Sequence, residues 1–347
     1  MAEHLSSPLT EVRFAGLGPA GYLVRLGPSV AFSAVVLLVA PLVGSTDISW
    51  SNVISGVNPD REIFMLARLP RVLFGALAGG ALAVAGVIFQ AILRNALATP
   101  FTLGVSSGSS FGAVVAIWLG LDVVLLGIPV VSVAAFGGAL LTMSLVFTIA
   151  RSRQALPTFT LLLAGVTLNF VFSALILFIH YAAADFTESF LMIRWMMGGL
   201  TNVSYDLILK TAPVILAAAT ILVWFAAELN ALAAGEDWAR TRGVDVARLK
   251  KTSFVVGSLL TGIVTAVAGP IGFVGLIVPH SLRLMVGPDH RILLPSAFFA
   301  GAGFLVLCDT AARTLFAPSE MPVGVLTALL GGPFFIYLLK RRRGDLF

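Results

Sequence analysis

The chain has 347 residues, of which 58% are hydrophobic and 11% charged, and its mean hydropathy is +1.00. Soluble proteins carry about 25% charged residues, so a water-soluble enzyme or a nucleic-acid-binding domain is excluded and a lipid-embedded chain is expected. The net charge of +5 is spread over too few groups to be a nucleic-acid footprint, and the single cysteine, Cys308, rules out an intramolecular disulfide and reads as a buried apolar-like residue.

A transmembrane helix needs about 20 mainly apolar residues. A polar segment, 1–23, precedes a first apolar span at 24–43. Its run Val30–Val43 behind Arg13 and Arg25 mimics a signal peptide but lacks a clear small-x-small cleavage site, so it is read as a retained span. Residues 44–67 are polar and predict a short surface helix. Spans follow at 71–92, 102–120 and 123–150, the last long enough to be tilted or to extend beyond the membrane. After a span at 159–182, residues 183–206 carry Asp185, Glu188, Arg194 and Trp195 and predict an interfacial or re-entrant stretch. A span at 207–227 leads into the longest cytoplasmic loop, 228–251. Pro270, Gly272, Gly275 and Pro279 then break the apolar sequence into a span at 252–271 and a short one at 273–286. Spans at 292–312 and 323–340 precede the tail 341–347, and Pro333 after Gly331–Gly332 predicts a kinked or unwound last helix. The expected fold is all-α and polytopic, with about ten transmembrane helices in one membrane domain, 24–340. No loop is long enough to bury a second core.

The basic residues orient this bundle. With every segment crossing and the N-terminus in the cytoplasm, only Arg61, Arg68, Arg71, Arg194, Lys210 and Arg313 lie outside, out of 22 Lys and Arg. That satisfies the positive-inside rule and places both termini in the cytoplasm. Gly75 and Gly79, and Gly104, Gly108 and Gly112, fall four apart and predict close helix packing. No Gly-x-x-x-x-Gly-Lys-Ser/Thr sequence occurs, so if ATP drives this protein another polypeptide binds it. The four histidines are scattered, without metal-ligand spacing. Asp309 and Arg313, four apart near the outer end of a span, read as an ion pair. The absence of a mid-span carboxylate disfavours an ion-coupled secondary transporter, which remains the alternative. Ala83-Val84-Ala85-Gly86 recurs as Ala266-Val267-Ala268-Gly269 in a span of opposite direction, hinting at an inverted repeat. Arg68-Leu69-Pro70-Arg71 opens the second span on the outer face, where it can either dock an acidic partner or snorkel to the interface.

Ordered motifs along the chain resemble the FecCD-type permeases of ABC importers for iron–siderophore complexes, haem and cobalamin. They are Arg68-Leu69-Pro70-Arg71, Gln90-Ala91 with Arg94-Asn95-Ala96-Leu97-Ala98, Leu103–Gly108, Leu162–Val166, Trp195–Gly199, Gly272–His280, Asp289-His290-Arg291 and Pro322–Val325. The resemblance implies a homodimer in the inner (plasma) membrane, two cytoplasmic ABC ATPase subunits, a periplasmic or lipid-anchored solute-binding protein, no cofactor and no bond chemistry in this chain. It further implies that Arg68, Arg71 and Arg313 dock the binding protein. Gly235, Glu236, Asp237, Ala239 and Gly243 in loop 228–251 would contact the ATPase, and Asn95, Leu97, Thr158 and Phe159 would form a cytoplasmic gate. The sequence departs from the family pattern at Ala96 (usually Pro), Thr99 (usually acidic) and Arg242 (usually Leu).

Overall fold

The computed structural model describes residues 18–150, 158–183 and 185–342. The expectations placed on 1–17, on Arg151 and Arg153, and on 343–347 lie outside the described residues. Helix α1 (Pro19–Val39) runs into a 3₁₀ turn (Ala40–Leu42), and α2 (Trp50–Ser55) is the expected short surface helix. Next, α3 (Asp60–Glu62), a π-helical turn (Ile63–Arg68) and α4 (Leu69–Ile92) form one rod of 33 residues. Then come α5 (Val105–Trp118), a hairpin of β1 (Val124–Leu125) and β2 (Ile128–Pro129), α6 (Val130–Ala150), α7 (Thr158–Ala182) and α8 (Phe186–Met196). The rest is α9 (Tyr205–Trp224), α10 (Ala226–Ala234), α11 (Glu236–Thr241), α12 (Val246–Ala268), α13 (Val274–Val286), α14 (His290–Thr314) and α15 (Val323–Arg342). Seven of these helices are long and apolar enough to cross a membrane, and α5, α13 and the stretch Val323–Tyr337 of α15 are shorter apolar helices.

Helix α4 is the axis of the fold. Of its most apolar window 83% is buried, against 28% for those of α6, α7 and α9, and it packs on α9, α12, α13 and α14. Lipid is as apolar as leucine, so helices here associate through close packing and polar contacts rather than by escaping water. The sequence supplies that closeness with glycine. A Cβ on Gly79 would sit 2.2 Å from the Gly301 carbonyl oxygen of α14, and one on Gly138 of α6 would sit 2.0 Å from the Gly108 carbonyl oxygen of α5. Helix α8 begins where the Asp185 carboxylate accepts the Thr187 amide at 3.0 Å, an N-cap on a short amphipathic helix.

Three sequence expectations change. The apolar run 123–150 is not one long span, because 124–129 turns back as a hairpin before α6 begins. Leu126 (φ 51°) and Gly127 (φ 76°) take up the left-handed turn, and the ammonium of Lys210, paired with Asp206, donates to the Leu126 carbonyl and fastens the hairpin to α9. Pro333 does not unwind the last helix, since α15 is continuous through it. The break at 269–273 is present, but the two Ala-Val-Ala-Gly copies serve different ends. Gly86 lies inside α4 against the Gly275 backbone, whereas Gly269 (φ 68°) terminates α12. The break also holds Phe273 at φ 66°, which seats its ring against Gly331 of α15.

Candidate functional site

Polar residues gather at the two ends of α14, roughly 37 Å apart at 1.5 Å per residue. At the first end, α4 and α14 bring together Arg68, Arg71 and Arg313. Arg71 donates through Nε and Nη2 to both oxygens of Asp309, at 2.8 and 2.9 Å, and through Nη1 to Glu320 at 2.6 Å. Glu320 also accepts the Ser45 hydroxyl at 3.0 Å. Arg68 donates to the carbonyls of Pro41, Leu42 and Thr46, lying across Gly44, and Arg313 donates to the Ala40 carbonyl at 2.8 Å and to Thr310. Arg68 and Arg313 therefore stitch the 40–46 connection to the α4 rod and to α14, and Arg71 ties α4 to α14. Their exposures are 5%, 8% and 2%, so the heads turn inward instead of snorkelling. Asp309 pairs with Arg71 rather than with Arg313 one turn away. A guanidinium facing it side-on fills both carboxylate oxygens, which a neighbour on the same helix does not match. Burial pushes the Glu320 carboxyl up, but the Arg71 hydrogen bond and charge, with help from Ser45 and Arg313, outweigh this and hold it below its ordinary range.

Beside this cluster lies a cavity of 650 Å³ between the end of α12, α8 and the hairpin, bordered by Arg71, Glu320, Arg194, Trp195, Asn202 and Asp122. Arg194 and Asp122 are exposed there, so the cavity carries charge of both signs.

At the other end, α10, α11 and α12 are joined through glycine. Gly235 adopts φ 139° and ψ 149°, a conformation closed to side-chain-bearing residues, and it turns the chain sharply from α10 into α11. Gly243 (φ 80°) closes α11. The predicted residues Gly235, Glu236, Asp237, Ala239 and Gly243 thus occupy one compact excursion. Ala239 is fully buried beneath it, and the Asp237 side chain is fully exposed. Glu236 accepts from the buried Lys250 of α12 at 2.5 Å, and the Arg242 guanidinium lies 4.5 Å over the Trp238 ring. Where the family pattern has leucine, Arg242 thus covers an aromatic face with its own charge.

The gate residues come in two separate pieces. Asn95 accepts the Leu97 amide at 2.9 Å in an Asx turn after α4, leaving Leu97 39% exposed. Thr158 and the exposed Phe159 start α7, and no hydrogen bond joins them to Asn95 or Leu97. Sequence reasoning missed Asn230, buried on α10, whose only signal was a polar side chain in the run Ala226–Ala234. It also missed Glu320 as the second acceptor of Arg71.

A tightly packed α4–α14 core, broken and shortened apolar helices, and a glycine-bounded excursion at one end define a polytopic membrane permease. The chain belongs to the FecCD transport family, whose pattern matches residues 32–341. It is 44% identical over 275 residues to the cobalamin import system permease BtuC of Halobacterium salinarum, covering 79% of this chain and 72% of that one. To the hemin transport system permease HmuU of Yersinia pestis it is 39% identical over 284 residues, covering 81% and 84%. A metal-chelate type ABC transporter solved in an inward-facing conformation matches with a TM-score of 0.80 at 30% identity, over 92% of this chain and 99% of that one.

Proposed function

We propose that this chain is the membrane-spanning subunit of an ATP-driven importer for a bulky chelate (cobalamin, haem or an iron–siderophore) and works as a homodimer with two cytoplasmic ATPases and a solute-binding protein. The observation that carries the reading is the α10–α11 excursion. It is a short rigid hook with an exposed carboxylate and a stacked Trp238–Arg242 plate, on a chain that has no nucleotide-binding sequence of its own. A hook of this kind suits insertion into a partner's groove. On this reading the end carrying 235–243 and both termini face the cytoplasm of the inner membrane, and the Arg71 end faces outward.

ATP binding draws the paired ATPases together, the hooks follow, and the bundle exchanges an outward opening for an inward one. Asn95, Leu97, Thr158 and Phe159 close the cytoplasmic mouth. The exposed apolar faces of α7 and α15, including Phe170, Leu177 and Leu329, supply the second copy's contact and the lining of the path. At the outer rim Arg71 receives the binding protein, while Arg68 and Arg313, buried on the carbonyls of the 40–46 connection, hold the rim in place. Arg71 and Glu320 border the open cavity, so an incoming carboxylate reaches Arg71 in competition with Glu320. Relatives that carry cobalamin and hemin support the substrate class.

An ion-coupled carrier is the poorer reading, because the one buried carboxylate among the described residues, Asp309, is already bound by Arg71. The test is co-purification. An ATPase expressed with the tagged chain should be retained at one ATPase per permease, and Asp237→Ala with Trp238→Ala should release it. Purification of the chain without any ATPase, under conditions that keep it folded, would contradict the proposal.

A further inference from the structure

Asn230 sits on α10 immediately before the hook and is 7% exposed. Its Oδ1 accepts two donors from the first residue of α14, the His290 amide at 2.9 Å and His290 Nδ1 at 2.8 Å. Its Nδ2 donates to Asp289 Oδ1 at 2.6 Å. That same Asp289 oxygen caps α14 by accepting the Arg291 amide at 3.0 Å. One side chain thus uses its donor and acceptor together to close on the elbow between α13 and α14. No aliphatic residue offers both functions, and an aspartate offers only acceptors.

The elbow is itself tied to the core. Arg283 of α13 donates to Gln90 Oε1 at 2.5 Å, and Gln90 of α4 donates to the Gly275 carbonyl at 3.1 Å. Among the described residues, the side-chain bond from Glu236 to Lys250 ties the hook to α12, and α10 also packs on α4 and α9. Asn230 is therefore a polar link from the hook's root to the start of α14 at the α13–α14 elbow, which Arg283 and Gln90 in turn tie to α4. In a buried site such bonds are stronger than in water and fix one relative placement of the elements they join.

We infer that Asn230 is a positioning residue that makes α10 and the α13–α14 elbow move as one body, so that displacement of the hook reaches the membrane helices. This rests on the importer reading above. It predicts an uncoupling phenotype rather than loss of the complex.

The test uses the full permease–ATPase complex in proteoliposomes with its binding protein, reading chelate uptake and ATP hydrolysis in the same vesicles. Asn230→Asp sets two carboxylates face to face at the 2.6 Å contact and should lower uptake per ATP about tenfold, within the usual range of coupling energies between sites. Asp289→Asn alone keeps every donor and acceptor and should stay near wild type. Asn230→Asp combined with Asp289→Asn removes the facing charges and remakes the 230–289 contact with donor and acceptor exchanged, at the cost of the bond that the same Asp289 oxygen accepted from the Arg291 amide, and should recover part of the coupling. Wild-type uptake per ATP in Asn230→Asp would overturn the inference, as would a double variant no better than the single one. Hydrogen exchange on the purified permease reads the clasp without transport, and Asn230→Ala should expose the amides of 290–293, whereas unchanged protection there counts against the inference. Absence of ATP-dependent uptake in the wild type would instead sink the importer reading, with the exchange result still deciding the clasp.

Discussion

Replacing Arg71 by methionine tests how the arginine rim is held. The substitution keeps most of the apolar stem and removes the guanidinium, leaving Asp309, whose side chain is 3% exposed, charged and unpartnered at the end of α14. Breaking one partner out of a buried pair costs about 3–5 kcal/mol, because the remaining charge keeps its desolvation penalty. The Glu320 contact adds little, about 1 kcal/mol at most, since that side chain is 32% exposed and screened by water. Arg71→Met should therefore shift the folding equilibrium by roughly two to four powers of ten. Combining it with Asp309→Leu removes both charges and should recover most of the loss, as apolar replacements of buried pairs do. Equilibrium unfolding in mixed micelles with increasing SDS provides the measurement. If Arg71→Met unfolds within about 0.5 kcal/mol of wild type, far below the range for a broken buried pair, the rim is not held as described. A double variant as unstable as the single one would refute the reasoning equally.

Gly137 and Gly138 are adjacent on α6, yet a Cβ meets nothing within 4 Å at the first and the Gly108 carbonyl oxygen at 2.0 Å at the second. Gly137→Ala should be neutral or gain up to about 1 kcal/mol from helix propensity, while Gly138→Ala should lose about 1–3 kcal/mol or more from the collision, both read in the same micelle titration. The Glu320 carboxyl releases its proton at lower pH in the folded chain than in the unfolded one, so the unfolded state binds more protons across that window. Its contribution is complete above the ordinary glutamate value of about 4.3 and is lost as pH falls through the depressed folded value. Glu320→Gln should flatten that acid limb, and an unchanged acid limb would argue against the Arg71–Glu320 contact. Gly235→Ala strains the turn into α11 at φ 139° and should reduce ATPase retention in co-purification while leaving thermal stability of the bundle nearly unchanged.

What the sequence revealed was mostly local. The α12–α13 break is written in Pro270 and the glycines around it, and the hook is bounded by Gly235 and Gly243 within one short stretch. The glycine spacing of α4 pointed to close packing, and Gly79 on Gly301 supplies it. The hairpin at 124–129 was hidden because a short uncharged apolar run reads equally as helix or strand. What decides it is Lys210, more than eighty residues on. Asp309 was assigned to Arg313 by its four-residue spacing, but its partner lies 238 residues away in sequence, and only the approach of α4 to α14 brings Arg71 alongside. Arg68 illustrates the same limit. Its bonding partners are backbone carbonyls of 41–46, which no residue type announces. Asn230 likewise gains meaning only when α14 begins beside α10.

On the importer reading a separate ATPase drives a chelate through this permease. Purified permease, ATPase and binding protein should be reconstituted together in proteoliposomes, and uptake of cobalamin, hemin and a ferric siderophore followed with and without internal ATP. One of these chelates should accumulate only when ATPase, ATP and binding protein are all present. Uptake of the same chelate by the permease alone, driven by an imposed proton or sodium gradient, would contradict it.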